Sequence, residues 1–131
     1  MSGFPQNILV VDDDRQILEI VSEGLLRAGD VMVKVCQSCD EAVSIAHDFS
    51  PDLILLDLAM PDKDGPETIR VLHEVFGEDS KPMIFVTGNT QVVMQDDYKK
   101  LGVIGIVYKP FRPSELAVKI QGLWQKHSLG T

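Results

Sequence analysis

The stretch ILVVDDD, residues Ile8–Asp14, decides the fold, because an apolar run of four residues ends abruptly on three carboxylates. Three later apolar runs also end on a polar side chain: Leu53–Leu56 on Asp57, Met83–Val86 on Thr87, and Val103–Tyr108 on Lys109. Short runs of this kind are typical of strands buried on both faces of a parallel sheet. Because such strands end at one edge, we expect carboxylates, a hydroxyl and an ammonium group to meet there. These are the groups that a metal-dependent phosphoryl-transfer site needs.

Amphipathic segments separate the apolar runs, and the chain alternates between the two kinds of segment five times. The predicted strands are Asn7–Asp12, Val31–Cys36, Asp52–Asp57, Pro82–Thr87 and Val103–Lys109. The predicted helices are Asp14–Ala28, Asp40–Asp48, Pro66–Gly77, Thr90–Leu101 and Ser114–Lys126. Strands that alternate with helices need crossover connections, so we expect an α/β fold with a doubly wound parallel sheet covered on both faces. In such a sheet a functional site lies beyond the carboxyl ends of the strands.

Carboxylates at a junction between a strand and a helix also have a simpler use, which is to cap the helix. We assign that role to Asp14, and we expect Ser114 to cap the last helix. Capping is an alternative interpretation of Asp12 and Asp13 as well. Asp57 fits it poorly, because a carboxylate directly after a buried strand is costly to bury without a partner.

The composition is typical of one soluble globular domain. The 131 residues are too few for two ordinary domains, and 44% apolar content with 24% charge is normal for a folded chain. No apolar stretch approaches the roughly 20 residues of a membrane span, and the polar start is unlike a signal peptide, so we expect a cytoplasmic protein. The net charge of −8 disfavours direct nucleic acid binding by this domain.

Cys36 and Cys39 form a lone C-x-x-C pair, a spacing that is also found in redox and zinc sites. A zinc site needs two more ligands, and the spacing of His47, His73 and His127 does not supply them. Cys36 ends an apolar strand and Cys39 precedes a helix. We therefore expect both cysteines to be small buried residues.

Four segments together resemble a known family. They are Ile8–Asp13, Asp57–Pro61 with Asp64-Gly65 after it, Val86–Gly88, and Lys109–Phe111. From about Asn7 to Lys126, their order and spacing resemble the receiver domain of two-component response regulators. The resemblance implies a flavodoxin-like (βα)5 fold with strand order 2-1-3-4-5. It also divides the chain into an N-terminal extension (1–6), a receiver domain (7–127) and a C-terminal tail (128–131).

The resemblance implies a phosphoacceptor and a metal site. Asp57 is expected to take a phosphoryl group from the phosphohistidine of a sensor kinase, with Mg²⁺, or Mn²⁺ in its place, as the cofactor. Asp12, Asp13, Asp57 and the backbone carbonyl of Ala59 are the expected metal ligands. Mg²⁺ prefers oxygen ligands in an octahedron and keeps several waters, so a few carboxylates and one carbonyl are sufficient.

The resemblance also implies that Thr87 and Lys109 contact the phosphoryl group. Phosphoryl transfer depends on positioning and on neutralising charge, and a lysine supplies a compact positive charge for that purpose. Gly88 is expected to leave room for the incoming donor. Asp62 and Asp64 are expected to be loop residues outside the ligand set.

A departure from the family pattern concerns the conformational switch. In receivers the threonine moves toward the phosphate, and an aromatic residue three positions before the lysine rotates inward. Here that position is Ile106, and the nearest aromatic residue, Tyr108, is expected to be ordinary packing or surface. We still expect the fourth helix, fifth strand and fifth helix to form the output surface, because Thr87 and Lys109 attach to them. Its exposed polar residues are expected to be Asp96, Asp97, Tyr98, Lys99, Lys100 and Arg112.

The resemblance implies protein partners on both sides of the phosphoryl transfer. Upstream we expect a sensor histidine kinase or a phosphotransfer protein, and downstream an effector protein or a fused output domain. No direct contact with a membrane is expected. The domain is not expected to be an enzyme beyond catalysing its own phosphotransfer and dephosphorylation. The sequence is compatible both with a stand-alone receiver and with one domain of a longer regulator or hybrid kinase.

Three alternative interpretations fit parts of this pattern. A haloacid-dehalogenase-type phosphatase opens with D-x-D, which Asp12-x-Asp14 fits, but Arg15-Gln16 departs from its motif, a cap domain has no room, and Asp57 has no role in it. A flavodoxin needs a phosphate-binding loop where this chain has three acids, which would repel the phosphate. A degenerate receiver that only docks partners stays open because of Ile106.

Overall fold

The computed structural model describes residues 4–58, 65–76 and 81–129. Within these ranges strands and helices alternate. The strands are β1 (Asn7–Val11), β2 (Met32–Cys36), β3 (Leu53–Leu56), β4 (Met83–Thr87) and β5 (Val103–Tyr108). The helices are α1 (Arg15–Leu26), α2 (Cys39–Phe49), α3 (Gly65–Phe76), α4 (Asp96–Lys100) and α5 (Pro113–Ser128). Each strand lies inside its predicted range and is at most one residue shorter at either end.

The strands form one parallel sheet in the order β2-β1-β3-β4-β5. This order confirms the predicted fold class. Val11 at the end of β1 lies opposite Cys36 on one side and Leu56 on the other. The residues that follow Val11 and Leu56 along the chain are Asp12 and Asp57, so the register brings their backbones side by side.

Two apolar clusters, one on each face, hold the sheet between the helices. Ile8 and Val10 of β1 belong to a cluster that includes side chains of α1 and α5. Leu9 and Val11 belong to the cluster on the opposite face, which includes side chains of α2 and α3. All four residues of β3 are buried, as a strand covered on both faces requires.

The start of α1 matches its prediction, because Asp14 accepts a hydrogen bond from the Gln16 N–H at 2.9 Å and caps the helix. The start of α5 does not. Arg112 occupies the cap position without a side-chain hydrogen bond, so the prediction that Ser114 caps this helix is wrong. Pro113 begins the helix, since its fixed φ suits a first turn and its missing N–H needs no partner there.

The helix predicted over Thr90–Leu101 is much shorter, because α4 covers only Asp96–Lys100. The segment before it is held by turns, in which Asn89 accepts a hydrogen bond from the Gln91 N–H at 3.0 Å. The Tyr108 hydroxyl donates to the Val92 carbonyl at 2.5 Å. A tertiary partner therefore takes a carbonyl that a longer helix would use internally.

Cys36 and Cys39 are both free and buried, which confirms the interpretation of the C-x-x-C pair as small core residues. Burial, with a smaller contribution from the Glu41 carboxylate, raises the pKa of the Cys36 thiol to about 12. Such a thiol is neutral at ordinary pH and is a poor nucleophile. None of the helices within the described ranges has both the length and the apolar character to cross a membrane.

Candidate functional site

Asp12 and Asp57 are placed by the backbone ladder, which continues one residue beyond the strands. The Asp12 N–H donates to the Cys36 carbonyl at 3.1 Å, and the Asp57 N–H donates to the Val11 carbonyl at 2.9 Å. Both residues are almost fully buried, with 2% of Asp12 and 7% of Asp57 exposed. Two carboxylates are thus fixed next to each other at the carboxyl edge of the sheet. Burying two such groups costs free energy unless a nearby positive charge or hydrogen bonds offset that cost.

Asp13 completes an acidic cluster at this edge. One carboxylate oxygen from each of Asp12, Asp13 and Asp57 lies within 4.8 Å of the other two. Asp13 is exposed, so the cluster opens to solvent on that side. The structure therefore brings Asp57 together with two carboxylates that precede it by 44 and 45 residues in the chain.

Lys109 provides positive charge to the cluster. Its ammonium Nζ lies 2.9 Å from Asp12 Oδ2, to which it donates a hydrogen bond, and 3.7 Å from Asp57 Oδ1. The lysine side chain is 19% exposed, so these ion pairs are only partly screened by water. One amine thus offsets the repulsion between two buried carboxylates.

Thr87 reaches the same edge at the end of β4. Its carbonyl accepts a hydrogen bond from the Lys109 N–H at 2.7 Å, which ties the ends of β4 and β5 together. Its buried hydroxyl accepts from the Asn89 N–H at 3.1 Å. Gly88 is exposed, and a side chain there would meet nothing within 4 Å, so this side of the site is open.

The donor set fits a hard divalent cation. Three carboxylates whose oxygens lie within 4.8 Å of one another are the ligand type and spacing that Mg²⁺ or Mn²⁺ prefers. Both oxygens of Asp12 already accept hydrogen bonds, Oδ1 from the Asp14 N–H at 2.9 Å and Oδ2 from Lys109. The predicted carbonyl ligand Ala59, like Asp62 and Asp64, lies outside the described residues.

Gln37 is a site residue that the sequence did not reveal. Its side-chain amide Nε2 donates to the backbone carbonyl of Asp13 at 3.1 Å and thereby braces the loop after β1. A glutamine after a strand carries no signal of its own. Its role depends on β2 lying beside β1, which follows only from the strand order.

Ile106, Tyr108 and Tyr98, the residues considered for the switch and the output surface, are all half-buried and take part in packing. Ile106 is half-buried and packs against the apolar cluster that includes α2 and α3. Tyr108 is ordinary packing, because it is half-buried and bonded to Val92. Tyr98, expected as an exposed polar residue, is half-buried: its ring meets Phe85 edge-on with centroids 5.0 Å apart. The aromatic ring favours this apolar contact over water.

A parallel (βα)5 domain with clustered carboxylates, a threonine and a lysine at the strand ends has the architecture of a receiver domain. The family model described as the response regulator receiver domain matches residues 8–121, and the chain belongs to this family of two-component signalling proteins. The resemblance seen in the sequence is thereby confirmed. The finer division at residues 7 and 127 stays a prediction.

Similar proteins agree with this assignment. The chain is 31% identical over 121 residues to the DNA-binding response regulator MtrA of Mycolicibacterium smegmatis, covering 92% of this chain and 51% of MtrA. It is 33% identical over 120 residues to the probable transcriptional regulator ycf27 of Cyanidium caldarium, covering 92% of this chain and 47% of ycf27. The chain thus spans about half the length of the curated relatives that it matches.

The fold is also similar to that of solved receivers. The chemotaxis response regulator CheY4 of Vibrio cholerae superposes with a TM-score of 0.77 at 27% identity, covering 90% of this chain and 98% of CheY4. The similarity in fold therefore extends over nearly the whole of CheY4.

Proposed function

We propose that this domain accepts a phosphoryl group from the phosphohistidine of a sensor kinase or a phosphotransfer protein onto Asp57. The observation that carries the proposal is the placement of the Asp57 carboxylate, which is buried beside two other carboxylates and 3.7 Å from the Lys109 amine. Membership of the receiver family supports it. The domain would act as a signalling phosphoacceptor, not as an enzyme that turns over a separate substrate.

Asp57 is preferred over its neighbours as the nucleophile. Both oxygens of Asp12 are engaged by the Asp14 N–H and by Lys109, which suits an orienting or ligand role. Asp13 is exposed at the rim of the cluster, where a carboxylate is free to bind a cation. Asp57 directly follows the central strand β3, and its carboxylate lies near both other acids and 3.7 Å from the Lys109 amine.

In the proposed reaction an Asp57 carboxylate oxygen attacks phosphorus, and the bond between phosphorus and the donor imidazole nitrogen breaks. The imidazole leaves with the electron pair of that bond. Lys109 would offset negative charge on the phosphoryl oxygens, and the Thr87 hydroxyl would donate to one of them. Mg²⁺ or Mn²⁺, held by Asp12, Asp13 and Asp57, would supply further charge neutralisation when bound. Attack of water on the acyl phosphate would reset the domain.

The surface of α4, β5 and α5 is the proposed output face. Thr87, the last residue of β4, and Lys109, the residue after β5, connect the phosphoryl site to these elements. A cavity of about 550 Å³ lies on this face, lined by Met94, Lys99, Val103, Ile104, Leu123, Lys126 and His127. Phosphorylation adds nearly two negative charges and new acceptors, which can draw the Thr87 hydroxyl inward and alter this surface. An effector protein or a fused output domain would recognise the change.

Family membership also supports a cytoplasmic location.

The relatives suggest what kind of output domain a receiver of this family can be joined to. Two relatives carry the descriptions "DNA-binding response regulator" and "transcriptional regulator", each about twice as long as this chain. If this chain is joined to an output domain of that kind, DNA binding would belong to the added domain. The acidic receiver itself, with a net charge of −8, is not expected to bind nucleic acid.

The decisive experiment is the intact mass after incubation with acetyl phosphate and Mg²⁺. We expect the gain of one phosphoryl group that hydroxylamine removes, since an acyl phosphate is labile to that reagent. Asp57→Asn should gain none, whereas the matched variant Asp48→Asn, at an exposed position on α2, should gain as much as the parent. Uptake that persists in Asp57→Asn would refute the proposal. Uptake or phosphatase activity lost only in Asp12→Asn would favour the haloacid-dehalogenase-type alternative.

A further inference from the structure

The outer edge of β2 presents free backbone hydrogen-bonding groups. In the described residues β2 pairs with β1 and no strand lies on its other side. The Met32 N–H donates to Gln6, and the Cys36 carbonyl accepts from Asp12, so the even-numbered residues turn their backbone groups toward β1. Alternation along a strand then directs the N–H and carbonyl groups of Val33 and Val35 outward.

This edge is apolar for a strand that lies at the border of a sheet. Natural edge strands are usually guarded by charges, proline or bulges, because a bare edge pairs with other chains. In β2 the single charge is Lys34, while Met32 is 59% and Val35 43% exposed. Leu26, at the end of α1, is also apolar and is 56% exposed. Lys34 lines the α2 side of the edge, so the exposed β2 side chain on the α1 side is the apolar Val35. An edge with so little charge can accept a binding strand.

Cavities lie on both sides of this edge. The cavity on the α1 side, about 700 Å³, includes Leu18, Leu26 and Val35 in its lining. The cavity on the α2 side, about 570 Å³, is lined by Lys34, Val35, Ser44, Ile45, Asp48 and Phe49. A strand added to an edge points successive side chains to opposite faces of the sheet. Its side chains would therefore enter the two cavities alternately.

Charge identifies the chemistry of the added strand. The α1-side cavity is lined by the carboxylates of Glu19, Glu23 and Glu41 against the single guanidinium of Arg15. Glu23 also pairs with Arg27 at 3.0 Å, and this still leaves one net negative charge. A lysine or arginine entering this cavity would lay its stem on the leucines and its charge among the carboxylates.

We propose that the outer edge of β2 binds an extended basic segment of a partner protein by strand addition. Lysine or arginine side chains of the segment point toward α1, and apolar side chains alternate with them over Ile45 and Phe49 on α2. A second copy of this chain fits less well, because antiparallel pairing of two β2 edges about a two-fold axis perpendicular to the sheet would set the two acidic α1 surfaces side by side on the same face. The site is separate from the carboxylate cluster and does not rest on the phosphoryl chemistry.

The test uses the full chain and a fluorescein-labelled peptide of seven residues that alternates lysine and valine. We expect a saturable rise in fluorescence anisotropy, with amide shifts at Val33 and Val35. Val35→Pro removes an N–H that β1 does not use, so the fold should persist, and binding should weaken about tenfold or more. Glu19→Lys should also weaken binding, whereas the same change at the exposed Glu74 of α3 should not.

Peptide N-methylated on alternate residues provides a test that needs no variant, since it cannot complete the backbone ladder and should fail to bind. Equal binding of the N-methylated peptide, or an equal effect of Glu19→Lys and Glu74→Lys, would reduce the result to general charge attraction and overturn the proposal. Absence of saturable binding would also overturn it. A dimer in sedimentation that Val35→Pro abolishes would assign the edge to a second copy instead.

Discussion

The two halves of the site are held in different ways. The β1–β3 half, which consists of Asp12, Asp13 and Asp57, follows strands whose apolar side chains are buried on both faces. In the β4–β5 half, which consists of Thr87 and Lys109, β4 is just as buried, but the chain after Thr87 leads into α4, a helix of five residues with no buried side chain. In β5 buried and half-buried residues alternate. The first half follows two buried strands, and the second is connected to elements nearer the surface.

This difference suggests that one half of the site holds the reacting groups in place and the other half transmits a conformational change. A phosphoacceptor and its cation ligands must keep their positions, because phosphoryl transfer depends on placement. A signal must instead move residues, and elements with few buried apolar contacts move at the lowest cost in free energy. Lys109 is the link between the halves, since its amine contacts Asp12 and Asp57 while its backbone is bonded to Thr87.

The largest effect is expected from breaking that link with Lys109→Met, which keeps the apolar stem and removes the charge. The buried carboxylates then lose their compensating amine, and the free energy of unfolding should fall by about 3 kcal/mol without divalent cations. Urea unfolding at neutral pH measures this. Lys119→Met, on the exposed surface of α5, should change it by less than about 0.5 kcal/mol. Equal stability of the two variants would mean that the halves are not coupled through the amine.

A smaller effect is expected from Tyr98→Ala, which tests how α4 is attached. The edge-on contact with Phe85 is the main apolar anchor of this short helix, so its loss should cost about 2 kcal/mol in urea unfolding. Phosphoryl uptake at Asp57 should be unchanged, because the β1–β3 half is intact. Tyr98→Phe keeps the ring and should behave like the parent. Reduced uptake in Tyr98→Ala would show that the chemistry depends on α4.

The smallest effect concerns Cys36, next to the β1–β3 half. Burial raises its pKa from the ordinary 9.0 to about 12, so the folded state retains a proton that the unfolded state loses. The thiol should therefore leave stability unchanged below about pH 9 and lower it by roughly 1 kcal/mol between pH 8 and pH 10. Chemical unfolding at pH 8 and pH 10 measures this, with Cys36→Ala as the variant that lacks the dependence. Rapid alkylation of Cys36 in the folded protein at pH 8 would contradict the burial of this thiol and its raised pKa.

Much of the fold was predictable because the strands are short apolar runs with polar ends. A fully buried strand such as Leu53–Leu56 appears in the sequence as a short apolar run between polar residues. Its bounds were therefore predicted to within a residue. The candidate site residues Asp12, Asp57 and Lys109 followed from the same runs, since each lies directly after a strand. The roles of Asp57 and its neighbours in phosphoryl transfer stay predictions until phosphate uptake is measured.

The failures occurred where tertiary contacts compete with local preference. The helix predicted from Thr90 does not form in full, because Tyr108, sixteen positions beyond Val92, takes the Val92 carbonyl. Tyr98 was expected at the surface, but Phe85 offers its ring a better environment than water. The role of Gln37 and the open edge of β2 could not be predicted from the sequence for another reason. Each depends on which strand lies beside which, and no local pattern states that.

The sequence by itself determined the alternation of strands and helices and the residues at each strand end, because burial dictates apolar runs and backbone geometry dictates where they stop. Only the tertiary structure decided that Asp12 and Asp57 are neighbours and that Lys109 lies 2.9 Å from one and 3.7 Å from the other. Such distances depend on strand order and register. These are set by packing across the whole sheet, which joins residues far apart in the chain.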